Sequence, residues 1–350
     1  MTSQSEKPVH AAPSQGVAAA RELDLAGRHN DALEVLRRAS QQHDAAAMSE
    51  LAHRLLVGDR APHLPQHALS ILNAAVKLEE PRALARMATL TAAGAYVKQD
   101  WAGALKLLAQ AAKAGDASAR GQLECLQPEG AEPAGWMEMA ARVDLKHWLQ
   151  TPGRVQLHEN VYQVPQLAPR PVCRWLTGRA RGHLQPALVY DSVTRSNSVH
   201  DMRTNTMAAF HYGSMDVVQY LLKARMSRAC GYPMQHFEMP TILNYQVGQQ
   251  IKPHFDFIDS QAADYDAQIR EHGQRMITFL LYLNDEYEGG ETTFPELGIV
   301  NKGVAGDGIF FINAYPDLKP DRRMRHTGSP PTKGEKWIVT QFIVSKQLRP

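Results

Sequence analysis

A histidine and an aspartate stand two residues apart in the segment IKPHFDFI, at His254 and Asp256. In an extended strand alternate side chains share a face, so an imidazole and a carboxylate would converge there while Phe255 points the other way. Alone, that pair also reads as a surface histidine beside an aspartate, since fifteen histidines in 350 residues produce such neighbours by chance. A second strand bringing in His326, from RMRHTGSPPTKGEKWIV, would change its meaning. Two imidazoles and one carboxylate make the facial triad of non-haem iron(II), which leaves three adjacent positions open for a chelating oxoacid and dioxygen. Lys336 follows His326 by ten residues. In a β run continuing into Trp337, Ile338 and Val339 it is placed to point inward, where a cation would hold the far carboxylate of such an oxoacid. Its bland reading is a solvated surface charge.

Strands are needed to bring these groups together, and the chain supplies many short ones. AAFHY, TILNYQVG, IKPHFDFI, MITFLLYLN, ETTFPELGIVN, GDGIFFINAY and KWIVTQFIV read as strands separated by Gly, Pro, Asp and Asn turns. Without crossover helices between them, they predict an antiparallel barrel or jelly roll. Upstream, VQLHENVYQV and ALVYD read as extended, with a helix at PRPVCRWLTGRARGHL between them and the amphipathic GWMEMAARVDLKHWL before them. The polar DSQAADYDAQIREHGQ directly after the His-x-Asp strand reads as a helical or mobile insertion and, from its position, as a lid candidate. Gly289 and Gly290 suit a tight turn, with Glu291 and Thr292 stabilising it, and Tyr282 and Phe310 read as packing.

From about residue 17 to 127 the chain is rich in Ala and Leu, poor in β-branched residues and apolar at helical spacing. It repeats itself every 36 residues: Ala32, Ala68 and Ala104; Leu36, Leu72 and Leu108; Ala47, Ala83 and Ala119; Leu51, Met87 and Leu123; Gly58 and Gly94. Such a register predicts stacked helix pairs. The three copies resemble Sel1-like repeats, relatives of the tetratricopeptide repeat, over roughly residues 28 to 127. Solenoids of this kind present a concave surface to a protein partner; two or three repeats can equally support the attached domain or pair it into a homodimer.

The second half resembles the prolyl 4-hydroxylase-like branch of the iron(II)- and 2-oxoglutarate-dependent dioxygenases, over about residues 166 to 346. LNYQVGQQIKPHFDF, RMITFLLYLNDEYEGGETTFPE, KGVAGDGIFFIN and HTGSPPTKGEKWIVTQF are similar to that family's successive motifs, in order. The resemblance implies His254, Asp256 and His326 as iron ligands and Lys336 as the partner of the distal carboxylate of 2-oxoglutarate. It implies that Tyr245 hydrogen-bonds the same cosubstrate, with Thr278 a weaker candidate for that role. Arg203 lies where the family has an Arg-Thr-Ser stretch near the substrate channel, but Asn205 stands in place of the serine and leaves the substrate contact open. His200, His211, His236, His272, Glu238 and Arg275 are read as surface or packing residues.

The expected fold is α+β in two domains: Sel1-like helical repeats followed by a double-stranded β-helix (jelly-roll) oxygenase domain. The expected boundaries are a flexible tail over 1–16, repeats over 17–127, a linker (PEGAEPA) and leading segments over 128–165, and the oxygenase domain over 166–350. The expected cofactors are Fe(II), with 2-oxoglutarate and O2 as cosubstrates and ascorbate as reductant. The substrate expected from the resemblance is proline, or a proline-like residue, in a peptide or protein. A free amino acid or cyclic imino acid such as proline or pipecolate is the alternative, in which Arg203 would clamp the substrate carboxylate. A repeat-mediated interaction protein with an inert oxygenase domain is a third. Halogenases related to this branch carry a small residue in place of the carboxylate, so Asp256 favours hydroxylation.

Charge argues against a nucleic-acid partner: 38 Lys and Arg against 36 Asp and Glu leave a formal +2, with no long basic run. With 44% hydrophobic and 21% charged residues, most of the chain is expected to fold. The three cysteines, Cys125, Cys173 and Cys230, are far apart and odd in number, which predicts neither a disulfide framework nor a thiolate zinc site. With no apolar leader and no run of about 18 apolar residues, a cytoplasmic protein without a membrane span is expected.

Overall fold

The repeating half folds as helices whose starts keep the period of the sequence. In the computed structural model, which describes residues 14–191, 196–198, 200–262 and 264–348, seven helices cover it. They are α1 (Gln15–Leu25), α2 (His29–Gln41), α3 (Ala45–Val57), α4 (Pro65–Lys77), α5 (Pro81–Ala93), α6 (Trp101–Lys113) and α7 (Ala117–Cys125). The second helix of each pair is opened by a carboxylate: Asp44, Glu80 and Asp116 accept the backbone N–H of Ala47, Ala83 and Ala119. The residue before each cap, His43, Glu79 or Gly115, turns the chain at positive φ. Gly58 and Gly94 close α3 and α5 in the left-handed conformation, where a Cβ would be strained. The periodic alanines Ala32, Ala68, Ala104, Ala47, Ala83 and Ala119 are all buried at the helix contacts.

A short helix, α8 (Trp136–Arg142), packs on α6 and α7. By its contacts the first compact unit runs to Leu145 and includes Tyr212–Tyr220; the second holds Lys146–His211 and Leu221–Pro350. Of the expected tail, residues 1–13 lie outside the described residues, and Gln15 already begins α1.

The second unit is built on two antiparallel sheets, as a jelly roll requires. The larger has the order Val155–His158, Val161–Val164, Gly308–Ile312, Arg275–Tyr282, Lys336–Val344, Thr241–Tyr245, Thr206–Ala209 and Gln185–Pro186. The smaller has the order Ile299–Asn301, Thr292–Phe294, His326–Gly328 and Ile251–His254. Leu243, Leu280, Ile309 and Ile338 from the larger sheet share a buried cluster with Phe294 from the smaller one and with Met324. The strand expected at AAFHY ends at Ala209, and Tyr212 opens a 3-10 turn. ETTFPELGIVN divides into two strands around a 3-10 turn at Pro295–Leu297, because Pro295 lacks the N–H that a continuous ladder needs. The polar insertion after the His-x-Asp strand contains a helix, Tyr265–His272; Ala263 lies outside the described residues.

One helix escapes the sequence reading altogether, at Val217–Cys230. Every residue from Val217 to Met226 is buried, polar ones included, so no apolar stripe alternates with a solvated face. The 3.6-residue period that reveals surface helices is therefore absent from its sequence.

Candidate metal centre

Two strand pairings build the site. On the smaller sheet His326 lies directly opposite His254, and on the larger sheet Lys336 lies directly opposite Tyr245. Asp256 follows the end of the His254 strand by two residues. The His254 and His326 ring centroids are 4.2 Å apart. Nε2 of His254 is 3.4 Å from Oδ1 of Asp256, and Nε2 of His326 is 3.4 Å from Oδ2. One donor atom from each of the three residues lies within 4.8 Å of the others, close enough to bind one ion.

The protonation pattern suits a metal. Nδ1 of His254 faces the Lys252 carbonyl at 2.9 Å and Nδ1 of His326 faces the Met324 carbonyl at 3.0 Å. A carbonyl only accepts, so each Nδ1 carries the hydrogen and each Nε2 keeps its lone pair for the centre. Burial pushes His326 down to about 4, against the pull of Asp256, which keeps its ring neutral at ordinary pH. Burial opposes ionisation of Asp256 as well, but His326, His254 and the Thr278 hydroxyl outweigh it and hold the carboxyl well below its usual range. Two imidazoles and a carboxylate are a donor set that fits iron(II).

These three residues line a cavity that is also lined by Lys336, Tyr245 and Arg203. Lys336 is only 2% exposed, and its Nζ donates to the Gly290 carbonyl at 2.7 Å above the rings of Tyr245 and Tyr282. The carbonyl is presented by a turn in which Gly290 has φ 71°; a Cβ there would also sit 3.0 Å from the Tyr287 ring. Burial pushes the Lys336 ammonium down to about 8, with Glu291 opposing. Burial pushes the Tyr245 phenol up to about 12, so it keeps the proton it would donate. Arg203 Nε donates to Oδ1 of Asn205 at 3.0 Å, so the asparagine at the departure from the family pattern steadies the arginine.

Thr278, expected as a weaker candidate for a cosubstrate contact, lies beneath the carboxylate of Asp256. It is fully buried, its Oγ1 donates to Oδ2 of Asp256 at 2.7 Å, and it accepts from Nδ2 of Asn313 at 2.8 Å. Its hydroxyl is used up beneath the carboxylate, and it is not among the residues lining the cavity. Asn313 was not singled out by sequence reasoning. The available signal was faint: a single amide ending the apolar strand GIFFI. Thr292 also lines the cavity, and its hydroxyl accepts from Tyr282, which in turn accepts from Asn301.

Residues 240–344 match the 2OG-Fe(II) oxygenase superfamily, a span that contains every site residue above except Arg203 and Asn205. The chain is 30% identical over 200 residues to prolyl 4-hydroxylase 13 of Arabidopsis thaliana, covering 52% of this chain and 70% of that one. It is 30% identical to the probable prolyl 4-hydroxylase 9 of the same plant, covering 51% and 66%. Among solved structures it is similar to the 2OG complex of the viral collagen prolyl hydroxylase from Paramecium Bursaria Chlorella virus-1. That match has 24% identity and a TM-score of 0.41, over 53% of this chain and 96% of that one. It is also similar to a Sel1 repeat protein from Oxalobacter formigenes, with 19% identity and a TM-score of 0.31, over 39% of this chain and 61% of that one.

Proposed function

The chain belongs to the prolyl 4-hydroxylase family of the 2OG-Fe(II) oxygenase superfamily, and from that premise we propose that it hydroxylates proline, or a proline-like residue, in a peptide or protein. The observation that carries the reading is the cluster of His254, Asp256 and His326 in one cavity with a buried lysine. Iron(II) held by His254, Asp256 and His326, with 2-oxoglutarate and O2 as cosubstrates, would supply the oxidising power needed to hydroxylate an unactivated C–H bond. The chain's own residues bind and orient. His254, Asp256 and His326 present two lone pairs and one negative charge to the metal. Lys336 meets the distal carboxylate of 2-oxoglutarate with a buried positive charge, and Tyr245, its strand partner, donates a hydrogen bond to the same molecule. Leu243, Leu280 and Ile338 also line the cavity and give it apolar wall beside these polar groups.

The names of the relatives support proline in a polypeptide as the substrate class. A free imino acid is the second reading, favoured by Arg203, whose guanidinium lines the cavity and would pair with a substrate carboxylate. Ascorbate is the proposed reductant. A reducing, cytoplasmic setting is proposed from the three cysteines, all free thiols. The helical repeats are proposed to bind a protein partner or to pair two copies. No helix among the described residues is long and apolar enough to cross a membrane.

Succinate formation with iron(II), ascorbate and 2-oxoglutarate under air tests the reading, with proline-containing peptides compared against free proline and pipecolate, and His254→Ala as the blank. A peptide that gains one oxygen atom while succinate accumulates supports the first reading; the same gain confined to a free imino acid replaces it with the second.

A further inference from the structure

Beneath the metal cluster lies a chain of hydrogen bonds whose direction is fixed by chemistry. An ionised carboxylate can only accept, so across the 2.7 Å contact Thr278 must donate to Oδ2 of Asp256. Its hydrogen being committed, the Thr278 oxygen is left to accept, and the group facing it at 2.8 Å must be the NH2 of Asn313. The amide of Asn313 therefore has one allowed orientation. Its own backbone is pinned on both sides, the N–H donating to the Met276 carbonyl at 2.7 Å and the carbonyl accepting from Asp321 N–H at 2.8 Å. Asn313 is fully buried, and among the described residues its side-chain Oδ1 has no hydrogen-bond partner. Leaving an acceptor unpaired in the interior is unfavourable, and a residue kept only to fill space would be apolar. The amide is retained for its donor.

We infer that Asn313 and Thr278 are positioning residues that hold Asp256 in one orientation, engaging Oδ2 so that Oδ1 is the carboxylate atom offered to the metal. The inference rests on reading His254, Asp256 and His326 as a metal site and deepens that reading. A carboxylate held in this way binds through one oxygen and leaves the remaining positions open; once released, it can rotate and take a second. Neither residue is among those lining the cavity.

The test is Co(II) binding to the full chain, read by titration and by the visible d–d spectrum, without turnover. Thr278→Val, which keeps the shape and removes the donor, and Asn313→Ala are each expected to weaken Co(II) binding by about 10- to 100-fold, the range typical of groups that orient metal ligands. Both should also shift the d–d bands toward the weaker absorption of higher coordination. Thr278→Ser, which restores the hydroxyl, is expected to return both readouts to those of the unchanged chain. Near-UV circular dichroism checks folding, and the two sites give independent variants should one of them misfold. If Thr278→Val and Asn313→Ala leave affinity and spectrum unchanged while His254→Ala abolishes binding, the positioning role is overturned and the metal site stands. An effect of Thr278→Val without one of Asn313→Ala removes Asn313 from the relay and overturns the inference as stated. If the unchanged chain binds Co(II) no better than His254→Ala, the metal reading itself fails.

Discussion

Lys336 is a cation taken out of water before anything neutralises it. With its ammonium pushed down from the ordinary 10.5 to about 8 by burial, its charge becomes secure only when an anion arrives. The sign of the pH dependence follows. Below about pH 8 the lysine is already protonated and 2-oxoglutarate binds at full strength. Above it, binding must also take up a proton, so affinity is expected to fall by up to about tenfold per pH unit. Calorimetric titration of 2-oxoglutarate with Mn(II) present, between pH 6.5 and 9.5, measures this, and a flat profile would contradict it. Lys336→Met should weaken 2-oxoglutarate binding by roughly 10- to 150-fold, the loss of a charge-assisted hydrogen bond worth about 1.5–3 kcal/mol, and should flatten the profile. Stability of the ligand-free chain should move in the opposite direction, rising between about pH 8 and 10.5, where the folded lysine has lost a proton that the unfolded one keeps. Lys223, also pushed down to about 8 by burial, adds a slope of the same sign that survives in Lys336→Met. Among these residues, His254, Asp256, His326, Tyr245 and Lys336 were legible as a group that meets in one cavity, because motif order singles them out, although the strand expected to carry both His254 and Asp256 ends at His254. Thr278 was visible as a residue but not its contact with Asp256, and Asn313 was not seen, because these contacts depend on which groups meet beneath the carboxylate after three separate segments have packed.

At the scale of elements, the helical half was legible in its period but not in its ends. The repeat of Ala and Leu sets which faces pack, and it shows in sequence because burial at contacts recurs every 36 residues. The caps recur with the same period, as Asp44, Glu80 and Asp116, yet they differ in type, and an isolated carboxylate in a charged surface carries no obvious signal. Each satisfies a backbone N–H that the first turn leaves unpaired and places negative charge at the positive end of the helix. Asp44→Ala and Asp116→Ala are each expected to lower stability by about 1 kcal/mol, measured by urea unfolding followed at 222 nm. Because the two caps lie far apart on separate helices, the double variant should lose the sum. Neither should alter Co(II) affinity. The strands were legible by composition and turns, except that Pro295 divides ETTFPELGIVN and that AAFHY leaves its strand at Ala209. The helix at Val217–Cys230 was not, since uniform burial erases the amphipathic pattern on which such reading depends.

For the whole molecule, the contrast between an Ala-rich helical half and a strand-rich half suggests a clean division at the Pro- and Gly-containing stretch PEGAEPA. The contacts divide the chain differently, because the first unit takes Tyr212–Tyr220 from far beyond that stretch. Within that unit Val217 N–H donates to Oε1 of Gln122 at 3.0 Å, and a Cβ added at Gly213 would fall 2.6 Å from the His53 ring. Met215, Val217, Val218 and Tyr220 are all buried. A fragment beginning at Lys146 would keep every proposed metal and cosubstrate residue, yet it would strip this segment of the helices it packs on. Each large apolar side chain of the segment that is returned to water costs about 1.5–3 kcal/mol, a sizeable part of a domain's total stability. The fragment 146–350 is therefore expected to bind a dye for exposed apolar surface, such as ANS, to unfold at markedly lower urea concentration than the full chain, and to aggregate on concentration. Co(II) binding per folded molecule should survive, since His254, Asp256 and His326 lie entirely within the second unit. A fragment as stable as the full chain and silent toward ANS would mean that the segment Tyr212–Tyr220 needs no cover from the repeats, and that the boundary at the linker is the physical one.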